Sequence, residues 1–211
     1  MRLHKVPVVA QRLFPGLTWR KNINSQTLFL TFDDGPIPEV TDFVLQELEK
    51  LNAKATFFCV GQNVEKHPEI AAKAAAAGHR LANHTFNHLN GWKTAQQEYT
   101  ANVAKCQQAL ANANVVLPSH NPLFRPPYGR IPPRQTTALQ PDYDIVMWDV
   151  LTYDYDAQMS PEEVLKQSIK HTQSGSVILF HDSLKARRNM EYALPRFLHH
   201  FASLNYTFAA L

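Results

Sequence analysis

Two cysteines in 211 residues exclude a disulfide framework as the source of stability. Cys59 sits in an apolar strand pattern and Cys106 in a helical one, so both read as free thiols, Cys59 as a small core residue. No window is long and apolar enough to span a bilayer. A dense basic tract is also missing: net charge is +3 with histidine neutral. Lys185-Ala-Arg-Arg188 is short and reads as a solvated helix start, which argues against nucleic acid as a partner. The first twenty residues scatter charges and prolines and lack the apolar core and small-residue cleavage site of a secretory signal. The default expectation is a cytoplasmic protein, or an extracytoplasmic one whose leader is missing. There is no internal repeat and no low-complexity tract. With 45% hydrophobic and 18% charged residues, the chain suits one globular domain with a full core.

Short apolar runs alternate with helical patterns. Strands are expected at Thr27–Phe32, Ala55–Val60, Arg80–Asn83, Leu123–Arg125, Ile145–Trp148, Val177–Phe180 and Tyr206–Ala209. Between them, Glu39–Leu51 places Val40, Phe43, Val44 and Leu48 on one helical stripe. Asn63–Ala77 is Ala-rich and stops at Gly78, a suitable C′ residue. Thr94-Ala-Gln-Gln97 reads as a capping box opening a helix to about Ala113, and Ser160-Pro-Glu-Glu163 as a stronger one opening a helix that ends near Gly175. A last helix is expected over Glu191–Ser203 with Pro195 in or near its first turn. Residues 114–135, rich in proline, read as an extended loop. Such alternation implies parallel strands with crossover helices, as a barrel or a doubly wound sheet, with ligands at the carboxyl ends of the strands. The Met1–Trp19 segment is expected to pack across the barrel base, where Phe14 and Trp19 would have something to cover.

The polar motifs fall at those strand ends. Thr31-Phe-Asp-Asp-Gly-Pro36 offers Asp33 and Asp34. Taken alone it could be a β-turn, but two adjacent carboxylates point in different directions, so one can bind a metal while the other works as a base. His84-Thr-Phe-Asn-His88 could be two surface histidines. If the segment turns helically, its rings at i and i+4 chelate one ion, and with Asp34 they leave open positions for water and substrate. No Glu follows His84, so this is not the metalloprotease helix motif. Arg125-Pro-Pro-Tyr-Gly129 could be a rigid loop, but its arginine follows an apolar Leu-Phe, and a buried charge needs a carboxylate, for which Asp33 is the sensible partner. Phe180-His-Asp182 closes a strongly apolar run, so its polar pair is placed rather than filler.

With these motifs in this order, the chain over roughly residues 25–211 resembles the polysaccharide deacetylases of the NodB-homology type, carbohydrate esterase family 4. The fourth and fifth motifs lie at Trp148–Tyr155 and Leu179–His181. The resemblance implies a distorted (β/α)7-type barrel, with residues 1–24 as an extension packing on it. It implies a divalent metal on Asp34, His84 and His88, zinc first, with cobalt or nickel as alternatives. Asp33 would be the general base, His181 the general acid and Arg125 the group that keeps Asp33 ionised and oriented. Asp154 would pair with His181, and the backbone N–H of Tyr128 would stabilise the oxyanion. Leu179, Tyr155 and Trp148 would receive the acetyl group. Tyr155 stands where the family commonly has Trp, and Leu151 where it often has Asp; both bear on substrate choice.

The expected activity is metal-dependent removal of N-acetyl groups from an N-acetylglucosamine-containing glycan, peptidoglycan or chitin-like oligomers. The same site could instead serve O-acetylated xylan, a formamido or lipid-linked sugar, or a small cyclic amide. A non-catalytic glycan-binding module would lack the base, the acid or a metal ligand, and none is lacking.

Overall fold

The computed structural model describes residues 2–113 and 122–211. The strands are β1 (Thr27–Asp33), β2 (Ala55–Cys59), β3 (Arg80–Asn83), β4 (Leu123–Phe124), β5 (Asp144–Ile145), β6 (Val150–Leu151), β7 (Val177–His181) and β8 (Thr207–Phe208). The helices are α1 (Val8–Leu13), α2 (Val40–Glu49), α3 (Gly61–Lys66), α4 (Pro68–Ala76), α5 (Gln96–Asn112), α6 (Pro133–Leu139), α7 (Pro161–His171) and α8 (Arg187–Ser203). Seven parallel strands run in the order β5-β4-β3-β2-β1-β7-β6, and β8 adds to the start of β1. This is the curled parallel sheet expected of the distorted barrel.

Period two sorts the strand residues. Leu28, Leu30 and Phe32 of β1, Phe57 of β2, and Ile178 and Phe180 of β7 join the core beneath the helices, with Val44, Leu48, Leu194 and Phe197. The opposite faces supply Phe29, Phe58 and Val177, which form a smaller interior cluster with Ala82, Leu123 and Val146. Thr31 and Asp33 share the face of Phe29, and Leu179 and His181 share that of Val177. The barrel interior is therefore apolar at its floor and polar at the carboxyl-terminal rim.

The N-terminal segment runs along both ends of the sheet. Thr18 bridges to Val146 beside β5, and Lys5 to Val150 in β6. It thus covers strand edges that would otherwise expose unpaired backbone. Phe14, expected to cover the barrel base, is 53% exposed.

Several boundaries depart from the expectations. The Asn63–Ala77 helix is two helices that meet at His67, because the residue before Pro68 is driven out of the helical region. Thr94 is not a capping residue: α5 starts after Ala95 with no side-chain cap, and the Thr94 hydroxyl donates to the Asn90 carbonyl. Helix α7 stops at His171, and Gly175, with φ 78°, sits in the turn before β7, where a Cβ would lie 2.1 Å from the Lys21 carbonyl oxygen. Helix α8 begins at Arg187, so Pro195 lies mid-helix. The strand expected over Ile145–Trp148 ends at Ile145, because the Val146 and Met147 carbonyls accept from Arg125 instead of from a neighbouring strand. Strand β6 was not foreseen. Of the loop expected over 114–135, residues 114–121 lie outside the described residues, and the remainder contains β4 and the start of α6. The cysteines are buried and free, and Gly78 takes the left-handed C′ conformation, φ 80°. No helix among the described residues is long and apolar enough to cross a membrane.

Ser160 caps α7 by accepting from the Glu163 N–H. Ser160→Ala should lower folding stability by about 1 kcal/mol, read as a lower urea midpoint at constant m. An unmoved midpoint would show that this cap contributes nothing.

Candidate active site

Arg125 follows β4 directly and is fully buried, its guanidinium 4.0 Å from the Phe58 ring centroid. Nη1 donates to Asp33 Oδ1 at 2.7 Å and to Thr31 Oγ1 at 2.8 Å; Nη2 donates to the Met147 carbonyl and Nε to that of Val146. Desolvation pulls the guanidinium pKa down, against which Asp33 acts. Asp33 is thus braced through one oxygen. Its other oxygen, Oδ2, lies 3.6 Å from His84 Nε2.

Asp34 leaves the strand with φ 86°, which swings its carboxylate away from that of Asp33. Its Oδ1 lies 3.2 Å from His88 Nε2 and 3.9 Å from His84 Nε2. Burial pushes this carboxyl up, but the hydrogen bond from His88 and the charges of His181 and His84 outweigh it and hold the group well below the usual carboxylate range. His84 is buried, and desolvation lowers it to about 4, so its ring is neutral near pH 7. Its Nδ1 donates to the Arg125 carbonyl at 2.7 Å, which leaves Nε2 with a free lone pair.

The two histidines do not share a helix face, contrary to the condition under which their spacing would chelate. Residues 84–89 form an irregular turn with Thr85 at φ 62° and His88 at φ 55°. Side chains replace the helical ladder there. Asn83 accepts from the Thr85 N–H, Asn102 from those of Phe86 and Asn87, and the Thr85 hydroxyl from that of Leu89. This turn still brings one donor atom each of Asp34, His84 and His88 within 4.8 Å of one another. One carboxylate and two imidazoles fit a late first-row divalent cation, with positions left over for other ligands.

Across β1, His181 pairs in register with Asp33 at the end of β7. Asp154 is fully buried, accepting from His181 Nδ1 through Oδ1 and from its backbone N–H through Oδ2, both at 2.7 Å. Burial pulls His181 down, but Asp154, with help from Asp34 and Asp33, overcomes this and raises it to about 9. The imidazolium is therefore the form present near neutral pH. Asp182 is a buried brace rather than a wall of the site. It accepts from the Gly35 N–H and the Thr41 hydroxyl, and a Cβ on Gly35 would sit 1.9 Å from its Oδ2. Burial pushes its carboxyl up to about 8.

Asp33, Asp34, His84, His88 and His181 face a cleft of about 680 Å3, with Arg125 and Asp154 buried behind them. Trp148, Tyr155 and Leu179 line it, as does Tyr128, whose hydroxyl lies 3.1 Å from His88 Nδ1. All eleven residues singled out in the sequence gather at this one rim. Sequence reasoning missed Arg130, Leu184 and Lys185 in the lining. Lys185, read as part of a solvated helix start, sits instead with its ammonium 5.3 Å from the Tyr155 ring centroid. No periodic signal marked these three, because they lie in connections.

Fold and site together define an α/β half-barrel that carries, at the carboxyl ends of its strands, three residues able to hold a metal ion. Within that class the chain belongs to the polysaccharide deacetylase family, whose profile matches residues 20–145. It is 38% identical over 162 residues to a peptidoglycan-N-acetylglucosamine deacetylase of Bacillus cereus, covering 76% of this chain and 57% of that protein. A second Bacillus cereus protein of the same description is 30% identical over 197 residues, 92% of this chain and 91% of its own length. The chain thus spans little more than half of the first relative and nearly all of the second. The crystal structure of the Bc1960 peptidoglycan N-acetylglucosamine deacetylase in complex with 4-naphthalen-1-yl-N-oxidanyl-benzamide superposes with a TM-score of 0.86 at 30% identity, covering 98% of this chain and 95% of that one.

Asp154→Asn should lower the His181 pKa well below about 9, since burial is then opposed only by Asp34 and Asp33. The raised pKa means that the His181 contribution to stability is full below about pH 6.5 and is lost as pH rises through about 9. The stability gap between wild type and Asp154→Asn should narrow over that interval. NMR titration of His181 with parallel denaturation curves checks both, and an unshifted titration would contradict the pairing.

Proposed function

We propose that this protein is a metal-dependent deacetylase that removes N-acetyl groups from an N-acetylglucosamine-containing glycan, peptidoglycan first and chitin-like oligomers second. The observation that carries the reading is the register of β1 against β7. It sets a carboxylate braced by a buried arginine next to an imidazolium braced by a buried carboxylate, at the rim that also carries the Asp34, His84 and His88 donor set. Family membership and the likeness to deacetylases along nearly the full chain support it.

In this reading Asp34, His84 and His88 hold the ion, and zinc suits two imidazoles and one carboxylate, with cobalt and nickel also served by that set. A divalent ion supplies Lewis acidity to the amide carbonyl and acidity to an attacking water. Asp33, fixed through Oδ1 by Arg125, takes the proton from that water at Oδ2. The backbone N–H of Tyr128, on a left-handed turn at φ 60°, is the donor assigned to the developing oxyanion. His181, whose Nδ1 is committed to Asp154, gives its proton from Nε2 to the departing amine. Leu179, Tyr155 and Trp148 close around the acetyl methyl and exclude water from it. Tyr155 keeps a flat apolar face where a tryptophan is common in the family, and Leu151 adds a second aliphatic wall.

Acetate release should require the metal: chelation abolishes it and zinc or cobalt restores it. Asp33→Asn should lower kcat about a thousandfold while the protein still binds the ion. Activity should follow a bell in pH. In Asp154→Asn the upper limb moves to lower pH by about one unit or more, because the acid then loses its proton earlier. Full activity of Asp33→Asn, or release that survives chelation, would sink this reading.

A further inference from the structure

Two cation–aromatic pairs border the cleft, and the catalytic reading uses neither cation. On the His88 side, the Arg130 guanidinium lies 5.1 Å from the Trp92 ring centroid and 5.9 Å from that of Tyr128, and Tyr128 meets His88 edge-on at 4.6 Å. On the His181 side, the Lys185 ammonium lies over Tyr155, which meets His181 edge-on at 4.9 Å. Trp92 and Arg130 follow β3 and β4, and Tyr155 and Lys185 follow β6 and β7, so in the sheet order β1, which leads into Asp33 and Asp34, runs between the two pairs. Among the described residues neither cation forms an ion pair.

The Trp92 platform is built rather than left over. The indole is 65% exposed, which leaves a large apolar ring in water. Yet its turn is held from below. Asn90 Oδ1 accepts from the Trp92 N–H, and buried Gln135 donates to the Gly91 and Thr94 carbonyls, each at 3.0 Å. A Cβ on Gly91 would lie 2.4 Å from the Arg130 carbonyl oxygen, so the turn packs directly on the backbone that carries the cation. A fixed, exposed aromatic beside a free guanidinium is suited to stacking a flat partner and reading a charge on it.

We infer that Trp92 with Arg130, and Tyr155 with Lys185, form two flanking subsites for sugar rings that bear acidic substituents, one on either side of the N-acetylglucosamine being deacetylated. The inference rests on the deacetylase reading and sharpens its substrate. In a chitin-like oligomer the rings next to the target carry only neutral hydroxyl and acetamido groups, which offer the two cations no charge to pair with. In peptidoglycan both neighbours are muramic acid, whose lactyl ether carries a carboxylate or, through it, an acidic peptide. A cation on each side of the metal site matches that alternation.

The test compares two tetramers, one of N-acetylglucosamine alone and one alternating N-acetylglucosamine with muramic acid. Wild type should prefer the acidic tetramer in kcat/KM. Arg130→Gln and Lys185→Gln should each lower the acidic-to-neutral ratio about threefold, and the double variant about tenfold. Trp92→Ala should raise KM about fivefold, with Trp92→Phe recovering most of it. Lys166→Gln, on α7, is the charge control and should keep the ratio. A ratio unmoved in the double variant overturns the inference. Equilibrium binding of both tetramers to Asp33→Asn, with and without Arg130→Gln and Lys185→Gln, supplies an arm independent of turnover: the same fall in affinity ratio on adding the two changes supports the subsites, and equal affinity of Asp33→Asn for the two tetramers overturns them. Acetate from neither tetramer would instead overturn the deacetylase reading, while the binding ratio still decides the subsites.

Discussion

The buried pair of Arg125 and Asp33 is the constraint on which the site depends. A guanidinium with no exposure is unfavourable unless every donor is used, and here one side chain reaches Thr31 and Asp33 on β1 and two carbonyls beyond β5. It therefore ties the middle of the sheet to the chain leading into β6. It also rests on Phe58, which places a charge directly above the apolar floor of the barrel. Removing either partner would leave the other charge buried, at a cost of about 3–5 kcal/mol. Fold and the proposed chemistry share this pair, so in that reading neither member can change without affecting both.

A second polar pair repeats the arrangement with the signs reversed. In the first a buried cation steadies a carboxylate, and in the second the buried carboxylate of Asp154 steadies the imidazolium of His181. The parallel register of β1 and β7 fixes the two relative to each other. The backbone accommodates the site through left-handed residues at Asp34, Thr85, His88, Tyr128 and Tyr153, a conformation that costs of order 1–3 kcal/mol at a non-glycine position. Polar side chains such as Asn83, Asn102 and Asp182 hold those turns from behind. The N-terminal segment contributes through His4, which contacts the Leu151 carbonyl and the Tyr153 ring and so steadies the loop that carries Asp154.

Much of this was legible in the chain itself. Apolar runs ending in Asp33, Arg125 and His181 announced strands with chemistry at their carboxyl ends, and the parity of Phe29, Thr31 and Asp33 fixes which face looks inward. The order of the motifs carried the family and pointed to Asp34, His84 and His88, whose donor atoms the fold brings together. What sequence reasoning missed lies where long-range contacts decide local form. The His84–His88 turn is shaped by Asn102, fourteen residues further on, and not by helical propensity. The strand that ends at Ile145 is cut short by the side chain of Arg125, just beyond β4. Pro195 sits mid-helix because α8 is held by its packing on α2 and α7. Arg130 and Lys185 lie in connections without periodicity, so nothing but the folded chain places them beside the cleft.

The central claim is a division of labour between adjacent carboxylates, with Asp34 holding the ion and Asp33 serving as base. Zinc titration calorimetry on Asp33→Asn and Asp34→Asn, side by side with wild type, tests it most directly. The account predicts that Asp34→Asn loses about a hundredfold or more in zinc affinity, while Asp33→Asn stays within about tenfold of wild type. Equal loss in both variants would contradict it, because the two carboxylates would then be ligands alike.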